Sequence, residues 1–301
     1  IHSKHNQVFI FNLRYSRIVD MMDYPINIFN TSEIYFILFN FKINTVITFG
    51  LNNDELINLL RSGDQTPVDV TFNNMRNIYQ LAGVVSKQIE ADSLSLVQTI
   101  QAASLMQTTG LDSANIKTLF IPNTYEFYWN TSADGFVKKM VDEHESFWND
   151  SRKKKAEYLE MTPAEVVTLA SIVEKETNKN DEKQAIAGVY INRINSGWRL
   201  QADPTVVYAI GDFNIRRVLN KQKNFESPYN TYMHLGLPPG PICIPSIVSV
   251  DAVLNYEDHN FMFFCARDDL SGYHVFAKTN AEHRRNAKRY QEALDERRIY
   301  K

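Results

Sequence analysis

The chain has 301 residues, of which 44% are hydrophobic and 22% charged. That length supplies one large domain or two modest ones with an ample apolar core. Its 32 Lys and Arg against 35 Asp and Glu leave a net charge of -3, which argues against a dedicated nucleic-acid binder.

Residues 1–48 are rich in Asn, Ile, Phe and Tyr, and weak alternation at Ile47, Thr48 and Phe49 predicts short strands there. A short helix follows over Asn53–Arg61, with Asn53 or Asp54 as its cap and Gly63 just past its end. Val68–Phe72 alternates apolar and polar residues, the period of a half-buried strand. Ile78, Leu81, Ala82, Val85 and Ile89 recur at helical spacing. Asp92 caps a second helix carrying Leu94, Leu96 and Ile100. Leu119-Phe120-Ile121 is expected as a strand closed by Pro122. Phe136–Trp148 is a further helix, and polar 149–160 a connector or a frayed helix. No run of Lys and Arg is longer than Arg152-Lys153-Lys154-Lys155, the pattern of a solvated face.

Thr162-Pro163-Ala164-Glu165 is a strong helix start, with Thr162 as N-cap, Pro163 in the first turn and Glu165 completing a capping box. The helix is expected to run to about Thr177. Val166, Val167, Leu169, Ala170, Ile172 and Val173 cover most of its circumference, leaving a polar arc of Thr168, Ser171 and Lys175. Glu174 falls between Ala170 and Val167 on the wheel, and Glu176 between Ile172 and Leu169. Both carboxylates border apolar surface. Burial disfavours the charged form, so either could hold a proton near neutral pH and donate it as a general acid. Periodicity does not choose between them, and on periodicity alone a solvated helix end is the more ordinary reading.

Asp181–Asn195 forms the next helix, with Ile186, Val189, Tyr190 and Ile194 on one face and Gly197 ending it. Asn192 and Arg193 suit structural roles. Gln201, Asp203 and Thr205 alternate with Ala202, Pro204 and Val206, so an extended backbone would put the three polar side chains on one side. Ser227 to Tyr232 offers aromatic faces and amides. Gly236–Ile242 carries too many prolines for a helix or central strand and is expected as a rigid loop shaping a cleft. Ser246–Asn255 reads as a helix, and Phe261–Ala266 and Tyr273–Ala277 as strands. Thr279 to Glu282 is another capping box, opening a charged helix. His274 and His283 have no ligand cluster around them and read as structural. Cys243 and Cys265 fit no metal motif; buried free thiols are the simplest reading, with a disulfide left open.

The segment Leu169–Tyr208, the sequence Tyr229-Asn230-Thr231-Tyr232 and the loop Gly236-Leu237-Pro238-Pro239-Gly240-Pro241-Ile242 together resemble the YceG-like endolytic peptidoglycan transglycosylases. The resemblance covers roughly Asn53 to Arg298. It implies an α+β chain, with a LysM-like strand-helix-helix-strand module at 67–132 and a mixed α/β catalytic domain at 133–301. Residues 1–66 stay partly unassigned. It implies that Glu174, the first Glu of Ser-Ile-Val-Glu-Lys-Glu, is the catalytic acid, with Glu176 supporting it. It further implies that Gln201, Asp203, Thr205, Tyr229, Asn230 and Thr231 line the glycan groove. No cofactor or metal is expected. The implied substrate is the peptidoglycan strand, cut to leave a 1,6-anhydro end, and the implied neighbours are wall-synthesis enzymes.

The resemblance also implies an N-terminal anchor in the cytoplasmic membrane with the catalytic domain outside it. No anchor is visible here. Ile34–Ile43 is too short to span a bilayer and is broken by Asn40 and Lys42, no signal peptide is recognisable, and the chain starts with Ile1. Two rivals stand beside the transglycosylase: a peptidoglycan hydrolase in which Asp203 activates water, and a non-catalytic glycan-binding scaffold. No Gly-x-Ser-x-Gly elbow, Walker loop or dinucleotide fingerprint is present.

Overall fold

The computed structural model describes residues 9–10, 46–47, 52–62, 65–215 and 217–297. Thr48, Phe49, Gly63 and the segment 34–43 lie outside the described residues. Among the described residues, helices are mixed with three two-stranded sheets. Two compact units are assembled from interleaved segments: 1–72, 82–99 and 124–137 in the first, and 73–81, 100–123 and 138–301 in the second.

In the first unit, β1 (Phe9–Ile10) pairs antiparallel with β2 (Val46–Ile47). Helix α1 (Asn53–Ser62) is capped by Asn52 rather than Asn53 or Asp54. The Asn52 side chain accepts from the Glu55 amide at 3.0 Å, and Glu55 accepts from the Asn52 amide at 2.9 Å. β3 (Val68–Phe72) alternates as expected, with Val70 and Phe72 buried and Asp69 and Thr71 exposed. Its partner is β4 (Asn123–Phe127). The strand expected at Leu119–Ile121 is thus displaced past Pro122; Ile116–Leu119 instead closes a 3₁₀ turn in which the Phe120 amide reaches the Lys117 carbonyl. Phe72 stacks on Tyr125 at 5.7 Å between ring centres, and Phe127 tilts against Phe136 at 5.4 Å.

Between these strands run α2 (Ile78–Val85), α3 (Ser93–Ile100) and α4 (Ala103–Thr109). Ile78, Leu81, Ala82 and Val85 are buried, as their spacing requires. Asp92 caps α3, accepting from the Leu94 and Ser95 amides at 2.8 and 2.9 Å. Helix α5 spans Ala133–Phe147. Of the two readings of the polar stretch the helix holds: α6 (Asp150–Tyr158) is started by Asn149 accepting from the Arg152 amide. Its uniformly polar surface hides it from a periodicity search.

The second unit is built around α7 (Pro163–Glu176), with α8 (Lys183–Asn195) and α11 (Ile247–Leu254) packed on it; α9 (Asp203–Ile210) and the short α10 (Asn220–Lys223) come between α8 and α11 in the chain. The Thr162/Glu165 capping box is present. Val166, Leu169, Ile172 and Val173 are fully enclosed, each contributing roughly 1.5–3 kcal/mol of burial. The expected polar arc is also covered. Thr168 donates to the Ala164 carbonyl at 2.8 Å, and Ser171 donates to the Thr168 carbonyl at 2.7 Å while accepting from the Ile242 amide at 2.9 Å. Helix backbone and the 236–242 loop satisfy these hydroxyls, so α7 tolerates neighbours on every side until Lys175.

That loop is pinned hard. A Cβ at Gly240 would sit 2.3 Å from the Ala114 carbonyl oxygen, and the Lys117 ammonium donates to the Pro241 carbonyl and, at 2.9 Å, to the Tyr208 hydroxyl. At the end of the chain, β5 (Phe263–Ala266) pairs antiparallel with β6 (His274–Ala277), and α12 (Asn280–Glu296) packs on this hairpin. Cys243 and Cys265 are free thiols; only Cys243 is buried, and burial pushes its pKa up to about 12. No helix among the described residues is long and apolar enough to cross a membrane.

Candidate active site

Glu174 and Glu176 close the last turn of α7, about 200° apart on its circumference. The two carboxyls therefore face different flanks, and their surroundings oppose one another.

Glu174 is held as a carboxylate. Its Oε1 accepts from the Asn74 amide at 2.9 Å. Its Oε2 accepts from the Lys183 ammonium at 3.1 Å, from the Ser246 hydroxyl at 2.6 Å, and from the Ser249 hydroxyl. The Glu174 and Lys183 side chains are only 9% and 5% exposed. Burial pushes the Glu174 pKa up, but the two serine hydroxyls and the Lys183 charge outweigh it, and the net shift is downward. The raised pKa expected at Glu174 is thus not what this environment produces, because the charged form has four side-chain donors. Glu174 forms part of a cleft of about 450 Å³, whose polar lining includes Asn73, Asn74, Asn178, Asn180 and Lys183.

Glu176 has the opposite character. Burial pushes its pKa up to about 7; the Tyr190 hydroxyl, which donates to Oε1, and the Arg193 charge pull it down, while the Asp203 charge adds to the rise. One donor on Oε1 leaves Oε2 available for a proton. Tyr190 and Arg193 come from α8, where Arg193 is fixed by the Met262 carbonyl at 2.8 Å and by the Leu200 carbonyl. Asp203 accepts from the Tyr232 hydroxyl at 2.5 Å, and burial followed by that bond raises the Tyr232 pKa. Glu176, Tyr190, Arg193, Asp203 and Tyr232 form one electrostatic cluster.

The six expected groove residues divide. Asp203 joins the Glu176 cluster, and none of the six lines the Glu174 cleft. The backbone is not extended through Thr205, since α9 (Asp203–Ile210) starts at Asp203 with Pro204 in its first turn. Gln201 just before it is exposed and held at φ 51°, a conformation non-glycine residues rarely adopt. Thr205, Asn230 and Thr231 are 0%, 0% and 1% exposed, so they face protein rather than a groove. The Thr205 hydroxyl donates to the Ala202 carbonyl at 2.7 Å, and the Thr231 hydroxyl accepts from the Ala202 amide at 3.0 Å. Asn230 donates to the Lys223 and Phe225 carbonyls at 2.9 and 2.8 Å. These three residues fix the start of α9 against the turn that carries Tyr232. Tyr229 is partly buried against the Tyr208 ring, and burial pushes its pKa up to about 12.

The Pro-rich loop, expected to shape a cleft, packs against α7 and contributes nothing to the Glu174 cleft. Asn192 ties its helix to the 259–261 segment, donating to the His259 and Phe261 carbonyls at 2.6 and 3.0 Å, whereas Arg193, read as structural, also sets its charge beside Glu176. His274 pairs with Glu182 at 3.1 Å.

The model of the YceG-like family matches residues 46–289, most of the chain. The chain belongs to the YceG-like family. An endolytic murein transglycosylase of Bacillus subtilis is 28% identical over 257 residues, covering 80% of this YceG-like chain and 70% of the relative. One from Streptococcus pneumoniae is 31% identical over 172 residues, covering 55% of this chain and 30% of the relative. Among solved structures, a YceG-like protein of Listeria monocytogenes matches with a TM-score of 0.62 and 25% identity, covering 86% of this chain and 90% of that one.

Proposed function

We propose that this YceG-like chain is an endolytic lytic transglycosylase of peptidoglycan, and that Glu176, not Glu174, is its acid and base. The observation that carries the residue choice is the half-buried Glu176 carboxyl, bonded by Tyr190 on one oxygen with the other left for a proton, its pKa raised by burial to about 7 beside Asp203. A group with that pKa holds its proton often enough to give it up and recovers it readily. Glu174, ionised and saturated by donors, has no proton to give.

The reaction follows from one group working twice. Glu176 donates its proton to the glycosidic oxygen between N-acetylmuramic acid and N-acetylglucosamine, and the bond from that oxygen to the muramoyl anomeric carbon breaks. The substrate's own acetamido oxygen closes on the cationic carbon. The Glu176 carboxylate then takes the proton of the muramoyl C6 hydroxyl, whose oxygen attacks the anomeric carbon and displaces the acetamido oxygen. The product ends in a 1,6-anhydro ring, Glu176 is protonated again, and no water is consumed. Tyr190 steadies the carboxylate between the two steps, and the Asp203 charge keeps its proton affinity high. The B. subtilis and S. pneumoniae relatives are named endolytic murein transglycosylases, which supports the reaction class.

Hydrolysis normally pairs two carboxylates, one of them activating water. Asp203 is the nearest candidate, but its Oδ1 is already bonded to Tyr232. That arrangement favours an electrostatic role. The catalytic domain would work outside the cytoplasmic membrane, where the substrate is. Digestion of peptidoglycan in ¹⁸O-labelled water, followed by mass spectrometry, tests the reaction type. Unlabelled anhydro ends are expected. Labelled reducing ends would mean a hydrolase, and retention of glycan without any cleavage would mean a binding scaffold.

A further inference from the structure

The cleft beside Glu174 has no part in the mechanism above, yet its build is that of a binding site. Its volume of about 450 Å³ lies in the range of small-molecule sites. The charges on its lining, Glu174 and Lys183, are 3.1 Å apart and almost completely covered, so they cancel and leave no net charge for an ionic ligand. Around them stand the exposed amides of Asn73, Asn178 and Asn180, which make no side-chain hydrogen bond among the described residues. An amide offers two donors and an acceptor, the complement of hydroxyl and acetamido groups. Pro122, Ile247 and Val248 supply an apolar wall, with Val248 45% exposed.

We infer that this cleft is a saccharide subsite, binding a neutral N-acetylated sugar unit of the strand away from the bond being cut. Its ring face lies on the Pro122, Ile247 and Val248 wall, and its hydroxyl and acetamido groups are read by Asn73, Asn178 and Asn180. The Glu174–Lys183 pair acts as the rigid floor. It joins the end of α7 to α8, and Ser246 and Ser249 join it to the start of α11. The choice of a glycan rests on the function proposed above; the neutrality and the amides do not. Glu174 and Glu176 project from opposite flanks of one helix, about 10 Å in diameter. Only an extended chain reaches both, which suits an enzyme acting within strands rather than at their ends.

The test uses the full chain and chitotetraose, a β-1,4-linked N-acetylglucosamine tetramer without muramic acid, titrated by calorimetry. Asn178→Ala/Asn180→Ala removes two amides from the cleft and none from the Glu176 cluster. With an unchanged melting temperature, it is expected to weaken binding about tenfold. Equal affinity in the variant overturns the subsite. So does an absence of chitotetraose binding by a protein that still cleaves peptidoglycan, while the proposed reaction survives. Asparagine-dependent binding by a protein that cleaves nothing supports the subsite and rejects the reaction.

Discussion

Glu176→Gln separates the cost of a half-buried acid from its use. The folded protein holds the Glu176 proton to about pH 7, whereas the ordinary carboxyl value is 4.5. Because the folded pKa is raised, the stability associated with the proton is fully present below pH 4.5 and is lost as pH rises through 7. Each tenfold change in proton affinity corresponds to about 1.4 kcal/mol. At pH 8 the ionised Glu176 therefore costs the fold about 3 kcal/mol, and at pH 5 only about 1 kcal/mol. Glutamine has nearly the same shape, keeps a carbonyl oxygen for the Tyr190 hydroxyl and carries no charge. The variant should therefore be more stable than the parent by about 3 kcal/mol at pH 8 and by about 1 kcal/mol at pH 5. Urea unfolding at the two pH values, read by tryptophan fluorescence, measures the difference. A ΔΔG that does not change between pH 5 and pH 8 would refute the half-buried-acid argument, whatever happens to activity.

Four further outcomes follow from the same geometry. The kcat of peptidoglycan cleavage should fall on the alkaline side with an apparent pKa near 7, and Tyr190→Phe, which removes a donor that lowers the Glu176 pKa, should move that limb to higher pH. Glu174→Gln leaves the covered Lys183 ammonium without its counter-charge and should cost about 3–5 kcal/mol in chemical denaturation, part of which Lys183→Met in the same chain restores. Thr231→Val strips the Ala202 amide of its acceptor and should destabilise by about 1–3 kcal/mol in urea, without changing the chemical identity of the products. Gly240→Ala forces a Cβ against the Ala114 carbonyl and should lower stability by about 1–3 kcal/mol, visible as a lower melting temperature.

Much of the second unit is legible in the sequence because local rules and tertiary packing agree there. The Thr162/Glu165 box, the apolar circumference of α7 and the Thr279/Glu282 box all appear where their residue patterns place them. The helix at Asp203 escapes that reading although its signal is present: Asp-Pro opening an apolar run is a helix start, and the alternation of Gln201, Asp203 and Thr205 is the weaker cue. The same alternation makes Thr205 look like a groove residue, when its hydroxyl is committed to the Ala202 carbonyl. The two glutamates cannot be told apart by a helical wheel, since both border apolar residues. What distinguishes them arrives from far along the chain: Ser246 and Ser249, 72 and 75 residues after Glu174, favour the ionised form of one, while burial, with the Asp203 charge from another helix adding to it, raises the pKa of the other. Resemblance favours Glu174; the donors around it favour Glu176.

The most direct comparison is of muropeptides released by the parent, Glu176→Gln and Glu174→Gln, quantified by mass spectrometry with the folded fraction of each variant measured in parallel. Loss of 1,6-anhydro ends in folded Glu176→Gln, with cleavage persisting in the folded fraction of Glu174→Gln, is the expected result. Undiminished anhydro products from Glu176→Gln, with none from well-folded Glu174→Gln, would return the acid to Glu174 and contradict the assignment.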